Sequence, residues 1–116
     1  MLISQLTRIV EETGRPRIAL VGDLMLDEYI WGDVQRISPE APIPVLRVGH
    51  REIRAGGAGS VAVNLGRLDV DVHVFSVIGE DNAGDRILSL LESEGCNVSG
   101  VVRDGGRPTT LKARHM

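Results

Sequence analysis

Apolar segments of strand length alternate with segments of helical period in this chain, and this alternation constrains the fold more than any other feature. The apolar runs VDVHVFSVIG at 70–79 and VSGVVRD at 98–104 each follow a segment with apolar residues at helical spacing, at 60–68 and 83–95. Strands that alternate with helices in this way form βαβ units, whose strands pair in parallel. The sequence therefore predicts an α/β fold with a mostly parallel sheet.

The N-terminal region predicts a helix followed by a strand. Apolar residues recur at helical spacing until Gly14 and Pro16 end the pattern. RIALVGD at 17–23 is a short apolar run, typical of a strand in a sheet that is covered on both faces. The apolar positions of this first helix are Leu2, Leu6, Ile9 and Val10.

The two later helices have equally specific predictions. Asp81 is expected to cap the N-terminus of the helix at 83–95, and Gly95 is expected to end it. The expected core-facing residues are Val61, Leu65 and Leu68 in the earlier helix, with Ala62 close by, and Ile87, Leu90 and Leu91 in the later one.

Between the first strand and these helices the chain changes character. In RISPEAPIPV at 36–45, three prolines within six residues exclude a helix and a central strand. VLRVGHREIRA at 45–55 alternates apolar with polar or charged residues, as a strand with one face in water does.

Composition excludes several classes of protein. The chain has 116 residues and a net charge of −3, and a nucleic-acid or anionic-membrane partner would favour a basic excess. No apolar run approaches the roughly 20 residues that span a bilayer. The single cysteine, Cys96, excludes an internal disulfide, and the N-terminus does not resemble a signal peptide. We therefore expect a cytoplasmic protein.

The segment RAGGAGSVAVNLG at 54–66 contains a possible ligand site. Gly57, Gly59 and Ala62 match the dinucleotide pattern G-x-G-x-x-A. That pattern requires an apolar strand directly before the glycines, whereas 50–54 is mostly charged, so the match is interpreted as accidental. Two readings remain open: backbone exposed to an oxygen-rich ligand, or a tight turn that needs positive φ angles.

Three segments together resemble the N-terminal half of the ribokinase-like carbohydrate kinases. They are VGDLMLDEY at 21–29, RISPEAPIPV at 36–45 and the segment 54–81 that begins with the glycines. Within that superfamily, RISPEAPIPV resembles the heptose-7-phosphate kinases, which occur alone or as the first domain of the bifunctional ADP-heptose synthase. The resemblance runs from about residue 15 to the end of the chain.

This resemblance implies the fold and its division. The chain would be the N-terminal part, 1–116, of a ribokinase-like three-layer fold, without the C-terminal ATP-binding half. A small β-sheet lid would use strands at about 29–34, 43–54 and 109–116. In relatives the lid closes over the sugar and often forms the dimer contact, so a homodimer is expected.

The resemblance also implies a sugar site. Asp27 matches the family aspartate that binds sugar hydroxyls, and a carboxylate suits this role because it accepts two O–H donors. Gly56 and Gly57 match the diglycine whose backbone lies against the sugar. Ser60 stands where relatives have a sugar-binding asparagine, and Asn64, one helical turn later, is its candidate substitute.

Several basic residues are candidates for binding a phosphate group on the sugar. For a sugar 7-phosphate, Arg36 is the first candidate, followed by Arg107, Lys112 and Arg114. Relatives favour glycine where this chain has Asp69. Two aromatic residues are expected to pack within the lid rather than to stack on the sugar. The three histidines lack the spacing of metal ligands, so no metal site is expected. The aromatic residues are Tyr29 and Trp31, and the histidines are His50, His73 and His115.

By this resemblance the chain is the sugar-binding part of an ATP- and Mg²⁺-dependent kinase. The kinase would phosphorylate heptose 7-phosphate at O1, in the synthesis of ADP-heptose and lipopolysaccharide-core precursors. Three alternatives remain: a ribokinase-like kinase for fructose or ribose, a catalytically incomplete module that binds a sugar phosphate and dimerises, and a dinucleotide-binding protein, which tight NAD binding would support.

The 116-residue chain by itself is expected to have little or no kinase activity. It lacks the family's G-A-G-D motif, whose aspartate is the catalytic base, and the AGD at 83–85 is expected to form only the first turn of a helix. A coupled assay of ADP release by the purified chain measures this, and turnover would contradict the expectation.

Overall fold

The computed structural model describes residues 2–37 and 44–115, with side chains described over 2–32 and 49–115. Within these residues no helix is long and apolar enough to cross a bilayer. The helices and strands, in chain order, are α1 (Leu2–Thr13), β1 (Arg17–Val21), β2 (Leu24–Ile37), β3 (Pro44–Gly57), α2 (Ala58–Arg67), β4 (Asp71–Ile78), α3 (Asn82–Ser93), β5 (Asn97–Arg103) and β6 (Thr110–His115).

The strands form two sheets. The parallel sheet has the order β1-β4-β5, and α3 joins β4 to β5 as a βαβ unit. The mixed sheet has the order β3-β2-β6, with β2 antiparallel to β3 and parallel to β6. The predicted α/β fold with a parallel sheet is therefore confirmed, and a second sheet lies beside it.

Helices α2 and α3 pack against the parallel sheet to form the core. Ile87 and Leu91 of α3 are fully buried, as predicted, and Val72 and Val74 of β4 lie in the same core cluster. This core also includes Leu24 and Leu26 of β2 and Ala62 of α2, so it extends under both sheets.

The predicted core face of α2 is wrong at two positions, because Val61 and Leu68 are exposed. The buried residues of this helix are Gly59 and Ala62. A Cβ atom on Gly59 would lie 2.9 Å from the Cβ atom of Ala55 in β3. The helix therefore turns its smallest residues inward because its first turn lies too close to β3 for larger ones.

The prediction that β1 is covered on both faces is also wrong. It is an edge strand of the parallel sheet, and Val21 is 78% exposed. Val21 is the register partner of Phe75, which is exposed on the same side of the sheet, as are Val77 and its partner Val102. The predicted helix α1 is confirmed, but none of its residues is buried.

The proline-rich segment lies where β2 and β3 leave the described part of the chain. Pro39 and Pro42 are outside the described residues. Pro44 is the first residue of β3, an edge strand, and pairs with Ile37. Edge strands and strand starts are the positions in sheets where proline is tolerated.

Asp69 has a left-handed backbone, with φ at 61°. It lies in the turn between α2 and β4. Glycine adopts this conformation without cost, and aspartate is among the few other residues that tolerate it. The preference of relatives for glycine at this position therefore has a conformational explanation.

Asp81 caps α3, as predicted, and also binds the start of β6. Its Oδ1 atom accepts hydrogen bonds from Gly84 N at 2.8 Å and Thr109 Oγ1 at 2.6 Å, and its Oδ2 atom accepts one from Thr109 N at 2.8 Å. These bonds, above all that from the Thr109 hydroxyl, hold the pKa of Asp81 below its ordinary value. Gly95, with φ at 82°, follows the end of α3, as predicted.

Acid is expected to weaken the fold through Asp81. Because the folded-state pKa lies below the ordinary value of 3.8, the stabilisation is complete above that value and is lost as the pH falls through the folded-state pKa. Urea unfolding of the wild type should show this loss on going to about pH 2. Asp81→Asn keeps a capping oxygen but cannot titrate, so its stability should fall less steeply. Equal slopes would contradict the assignment, because Asp71 and Glu94 titrate in both proteins.

Candidate functional site

Asp27 and Gly56 meet on neighbouring strands of the mixed sheet. Met25 of β2 pairs with Gly56 of β3, and Asp27 pairs with Arg54. The Asp27 carboxylate leans over Gly56 so closely that a Cβ atom on this glycine would lie 2.5 Å from Asp27 Oδ2. A residue without a side chain is therefore required opposite the carboxylate.

The other oxygen of Asp27 has no hydrogen-bond partner among the described residues. Asp27 Oδ1 is shielded from solvent by the surrounding chain. Buried carboxylate oxygens almost always accept hydrogen bonds, so an unpaired one is exceptional. This oxygen therefore has an unused capacity to accept an O–H or N–H hydrogen bond.

Gly57 serves a different purpose from Gly56. Its φ is 59°, and a Cβ atom here would lie 2.5 Å from the carbonyl oxygen of Asp23. The next residue, Ala58, donates its N–H to the same carbonyl at 2.8 Å. Of the two readings of the glycine pair, the tight turn therefore applies to Gly57, whereas Gly56 lacks a side chain because Asp27 occupies the space.

The glycines do not follow a strand of the parallel sheet. They end β3, which is an edge strand of the mixed sheet and has Arg51, Glu52 and Arg54 in its second half. A dinucleotide fingerprint needs an apolar strand at this point. The geometry therefore agrees with rejecting the dinucleotide reading.

One face of the mixed sheet, which we call the Asp27 face, is polar. Lys112 of β6 pairs with Asp27, and Arg114 pairs with Tyr29, so these side chains share that face. The Arg114 guanidinium lies 5.6 Å from the centre of the Tyr29 ring. Neither cation forms an ion pair with an acid of the described residues, whereas Arg54, on the same face, makes two hydrogen bonds to Glu52.

The aromatic residues also lie on the Asp27 face. The Tyr29 and Trp31 rings stack with centroids 5.9 Å apart, and Trp31 contacts His50 at 5.3 Å. The buried Leu26 and Ile30 point to the opposite side of β2. The two aromatic residues therefore pack on each other beside Asp27, outside the core.

Ser60 and Asn64 line a separate cavity of about 390 Å³ between β3, α2 and α3. Neither Asp27 nor the glycine pair lines it. Within the described residues, no hydrogen bond engages either side chain. Ser60 and Asn64 lie one helical turn apart, so both can contact one ligand.

The charges around this cavity neutralise each other. Arg67 donates two hydrogen bonds to Glu94, at 2.9 and 3.2 Å. These bonds raise the pKa of Arg67 and lower that of Glu94. Arg54 and Glu52, also in the lining, form the second pair. The cavity therefore suits uncharged hydroxyl groups better than a phosphate.

The remaining predicted positions are distributed as follows. The side chain of Arg36 is outside the described ones. Arg107 lies in the turn before β6 and lines a shallow depression with Glu80. Asp85 is in the first turn of α3, as expected, where it accepts a hydrogen bond from Arg103 at 2.6 Å. Within the described residues, no three His, Cys, Asp or Glu side chains are grouped as metal ligands.

Local sequence patterns indicate neither the position of Lys112 beside Asp27 nor the bonds between Thr109 and Asp81. Lys112 was considered only after Arg36, because nothing local indicates that β6 pairs with β2 and places this lysine beside Asp27. Thr109 forms bonds to Asp81 across 28 residues. The adjacent Gly-Arg-Pro turn was the only available signal, and it marks the position without revealing the partner.

Residues 15–116 match the pfkB family of carbohydrate kinases. The chain is 48% identical over 104 residues to a D-beta-D-heptose 7-phosphate kinase from Bordetella bronchiseptica, covering 90% of this chain and 33% of that protein. It is 52% identical over 95 residues to the bifunctional protein HldE of Geobacter metallireducens, covering 82% of this chain and 19% of that protein. The chain thus spans a third or less of the length of these relatives.

A solved structure supports the fold. The chain superposes on a fructokinase with bound ATP from Xylella fastidiosa with a TM-score of 0.66 and 23% identity, covering 88% of this chain and 30% of that one. At this identity the likeness shows the fold alone. The predicted ribokinase-like sugar-kinase fold and the resemblance to heptose-7-phosphate kinases are confirmed.

Substituting Gly56 is expected to disrupt the site. In Gly56→Ala the new methyl group would overlap the Asp27 carboxylate, and such overpacking costs about 1–3 kcal/mol of unfolding free energy. Gly49→Ala is the matched control on the same strand, because the nearest atom to its Cβ would be 3.7 Å away. Urea unfolding compares the two variants, and equal stabilities would contradict the close approach of Asp27.

Proposed function

The chain belongs to the pfkB family of carbohydrate kinases, and we propose that it is the sugar-binding part of an ATP-dependent heptose-7-phosphate kinase. The reaction would transfer a phosphoryl group to O1 of the sugar and serve the synthesis of ADP-heptose and lipopolysaccharide-core precursors. The observation that carries the proposal is the unpaired Oδ1 atom of Asp27, held against the side-chain-free backbone of Gly56.

In this proposal Asp27 binds the sugar through its hydroxyl groups. A carboxylate is only an acceptor, so it selects O–H donors and orients the sugar ring. The sugar would lie beside Gly56 and Gly57, whose lack of side chains leaves room for the Asp27 carboxylate and for Met25. A hydrogen bond to this oxygen would contribute more binding free energy than usual, because folding has already removed its water and supplied no protein donor.

Lys112 and Arg114 are the proposed contacts for the phosphate already on the sugar. Both are exposed cations without an acidic partner in the described residues, and both share the face of Asp27. They are two residues apart on β6, so they extend the site by about 7 Å along the strand. A substrate with hydroxyl groups at one end and a phosphate at the other would match this arrangement.

Ser60 and Asn64 remain proposed sugar contacts, in the neutral cavity beside Arg54. Serine is shorter than the asparagine of relatives, and the amide of Asn64 supplies the donors that serine lacks. Because the arginines of this cavity are already paired with glutamates, the contacts would be to uncharged hydroxyls. Arg36 remains a candidate for which the structure offers no side-chain geometry.

ATP and Mg²⁺ would be bound by the complete protein. The described residues contain neither a phosphate-binding loop with a lysine nor a free acid at a helix start near Asp27, since Asp85 is bound by Arg103. We therefore assign no ATP contact and no catalytic residue to this chain. Its role is to hold and orient the acceptor sugar, which is a large part of phosphoryl-transfer catalysis.

The mixed sheet would be the lid of this kinase and the contact between two subunits. Apart from Thr109, the described parts of the ranges expected for the lid, 29–34, 43–54 and 109–116, lie in its strands β2, β3 and β6. Closure of such a sheet over the sugar excludes water from the reaction. A cytoplasmic homodimer is part of the same proposal.

Asp27→Asn is expected to reduce the affinity for the sugar at least about tenfold, since hydrogen bonds to charged groups contribute roughly 1.5–3 kcal/mol. Glu28→Gln is the control, because Glu28 is the next residue on the opposite face of β2 and pairs with Arg51. Calorimetry with heptose 7-phosphate, on protein expressed from its complete reading frame, measures both. Equal losses would overturn the role of Asp27.

The same titrations test the phosphate contact and the alternative sugars. Lys112→Ala should weaken binding of heptose 7-phosphate but leave the unphosphorylated heptose unaffected, whereas Arg107→Ala should change neither. If fructose or ribose binds better than the heptose, the kinase belongs to the other sugar-kinase class.

A further inference from the structure

We propose that Asp81 and Thr109 position β6, and with it Lys112 and Arg114, beside Asp27. Together with the N–H groups of Gly79 and Gly84, these two side chains form what we call the Asp81 clamp. The inference rests on the proposed function, in which the β6 cations contact the substrate phosphate. It adds residues that touch no substrate but determine where the phosphate contacts lie.

The clamp is a closed set of hydrogen bonds between the two sheets. Thr109 Oγ1 accepts from Gly79 N at 2.9 Å and donates to Asp81 Oδ1 at 2.6 Å, which also accepts from Gly84 N. Asp81 Oδ2 accepts from Thr109 N. The hydroxyl and both carboxylate oxygens are all used. The start of β6 is thereby fixed to the end of β4 and the start of α3.

This arrangement exceeds what capping a helix requires. A cap needs one side-chain oxygen that accepts from the first turn, and the bond from Gly84 provides this. Helix α2, in the same chain, begins with no side-chain cap at all. The two further bonds that Asp81 accepts from Thr109 therefore serve the attachment of β6.

The surrounding residues leave room for the clamp and shield it. Thr109 is 7% exposed and is the one polar residue that is buried in the described part of the chain. A Cβ atom on Gly79 would lie 2.8 Å from both Asp81 Oδ2 and Thr109 N, and one on Gly84 would lie 3.0 Å from Thr109 Oγ1. The spacing G-E-D-N-A-G thus places two glycines where side chains would displace the clamp.

Strand β6 depends on an attachment of this kind. All six of its residues are exposed, and it pairs only with β2 in the mixed sheet. It has no buried side chain to fix its position, so its register rests on backbone pairing and on its N-terminal end. Thr110, which follows Thr109, pairs with Met25, and Lys112 pairs with Asp27 two residues later.

Loss of the clamp would therefore displace the cations while leaving Asp27 in place. Asp27 is held by the long pairing of β2 with β3, which does not involve Thr109. The expected consequence is selective: the part of the affinity that depends on the substrate phosphate falls, and the part that depends on the hydroxyls persists. A general loss of structure would reduce both parts.

Hydrogen exchange tests the positioning directly, without any ligand. Thr109→Val keeps the shape and burial of the side chain but removes the hydroxyl, and Thr109→Ser keeps the hydroxyl. In Thr109→Val the amides of residues 110–115 that donate to β2 should exchange roughly tenfold faster or more, because the variant loses the charge-assisted bond to Asp81 and the bond from Gly79 N. Amides of β3, and those of β2 that donate to β3, should be unchanged, and Thr109→Ser should resemble the wild type. Unchanged exchange in β6, or equal acceleration in β3, would overturn the inference.

Calorimetry on protein from the complete reading frame tests the consequence for the substrate. The ratio of affinities for heptose 7-phosphate and for the unphosphorylated heptose should fall several-fold in Thr109→Val and stay at the wild-type value in Thr109→Ser. Lys112→Ala separates the two proposals. If it lowers the ratio and Thr109→Val does not, the positioning role is wrong; if it leaves the ratio unchanged, the phosphate contact itself is wrong.

Discussion

The hydrogen bond from Ala58 N to the carbonyl of Asp23 fixes the rest of the arrangement. It joins the turn between β1 and β2 to the junction of β3 and α2, so two of the three connections between the two sheets are held at one point. The bond requires a glycine at position 57, because a Cβ atom there would collide with the same carbonyl. The positive φ of Gly57 is a second reason for glycine at this position. The position of α2 over the core and the approach of Gly56 to Asp27 both follow from this contact.

The β2–β3 pair contributes to the core and to the candidate site at the same time. Successive side chains of a strand point to opposite faces, so Leu24, Leu26 and Ile30 are buried while Asp27 and Tyr29 lie on the polar face. The apolar face holds the mixed sheet against α2 and α3. The proposed substrate contacts on the other face are therefore supported by a rigid element, which keeps a binding geometry more accurately than a loop does.

Local chemistry in the sequence was sufficient to predict several features. Three confirmed predictions depend only on neighbouring residues: Asp81 as a helix cap, Gly95 as a helix end, and the alternation of strands and helices. Only the family resemblance singled out Asp27 as a candidate, since an isolated aspartate after a strand carries no signal of its own. The preference of relatives for glycine at 69 reflected a left-handed backbone.

Features that depend on distant pairing were not predictable from local patterns. Val61 and Leu68 have the helical spacing of a core face, but the crowding of Gly59 against Ala55 turns Ala62 inward instead. The exposure of Val21 in β1 depends on which elements pack on that face of the sheet, and the apolar residues of β1 give no indication of that. The partnership of Lys112 with Asp27 spans 85 residues and depends on β6 joining the second sheet.

The regular register of the β2–β3 pair near the site limits which changes in chain length evolution can accept. From Leu24 to Trp31 the pairing is uninterrupted, and irregularities occur only beyond it, between Trp31 and Gly32 and again between Val34 and Arg36. An insertion or deletion of one residue in the uninterrupted stretch would turn Asp27 toward the core and Leu26 toward the polar face. Length variation among homologues should therefore accumulate on the distal side of Trp31, where a bulge can absorb it.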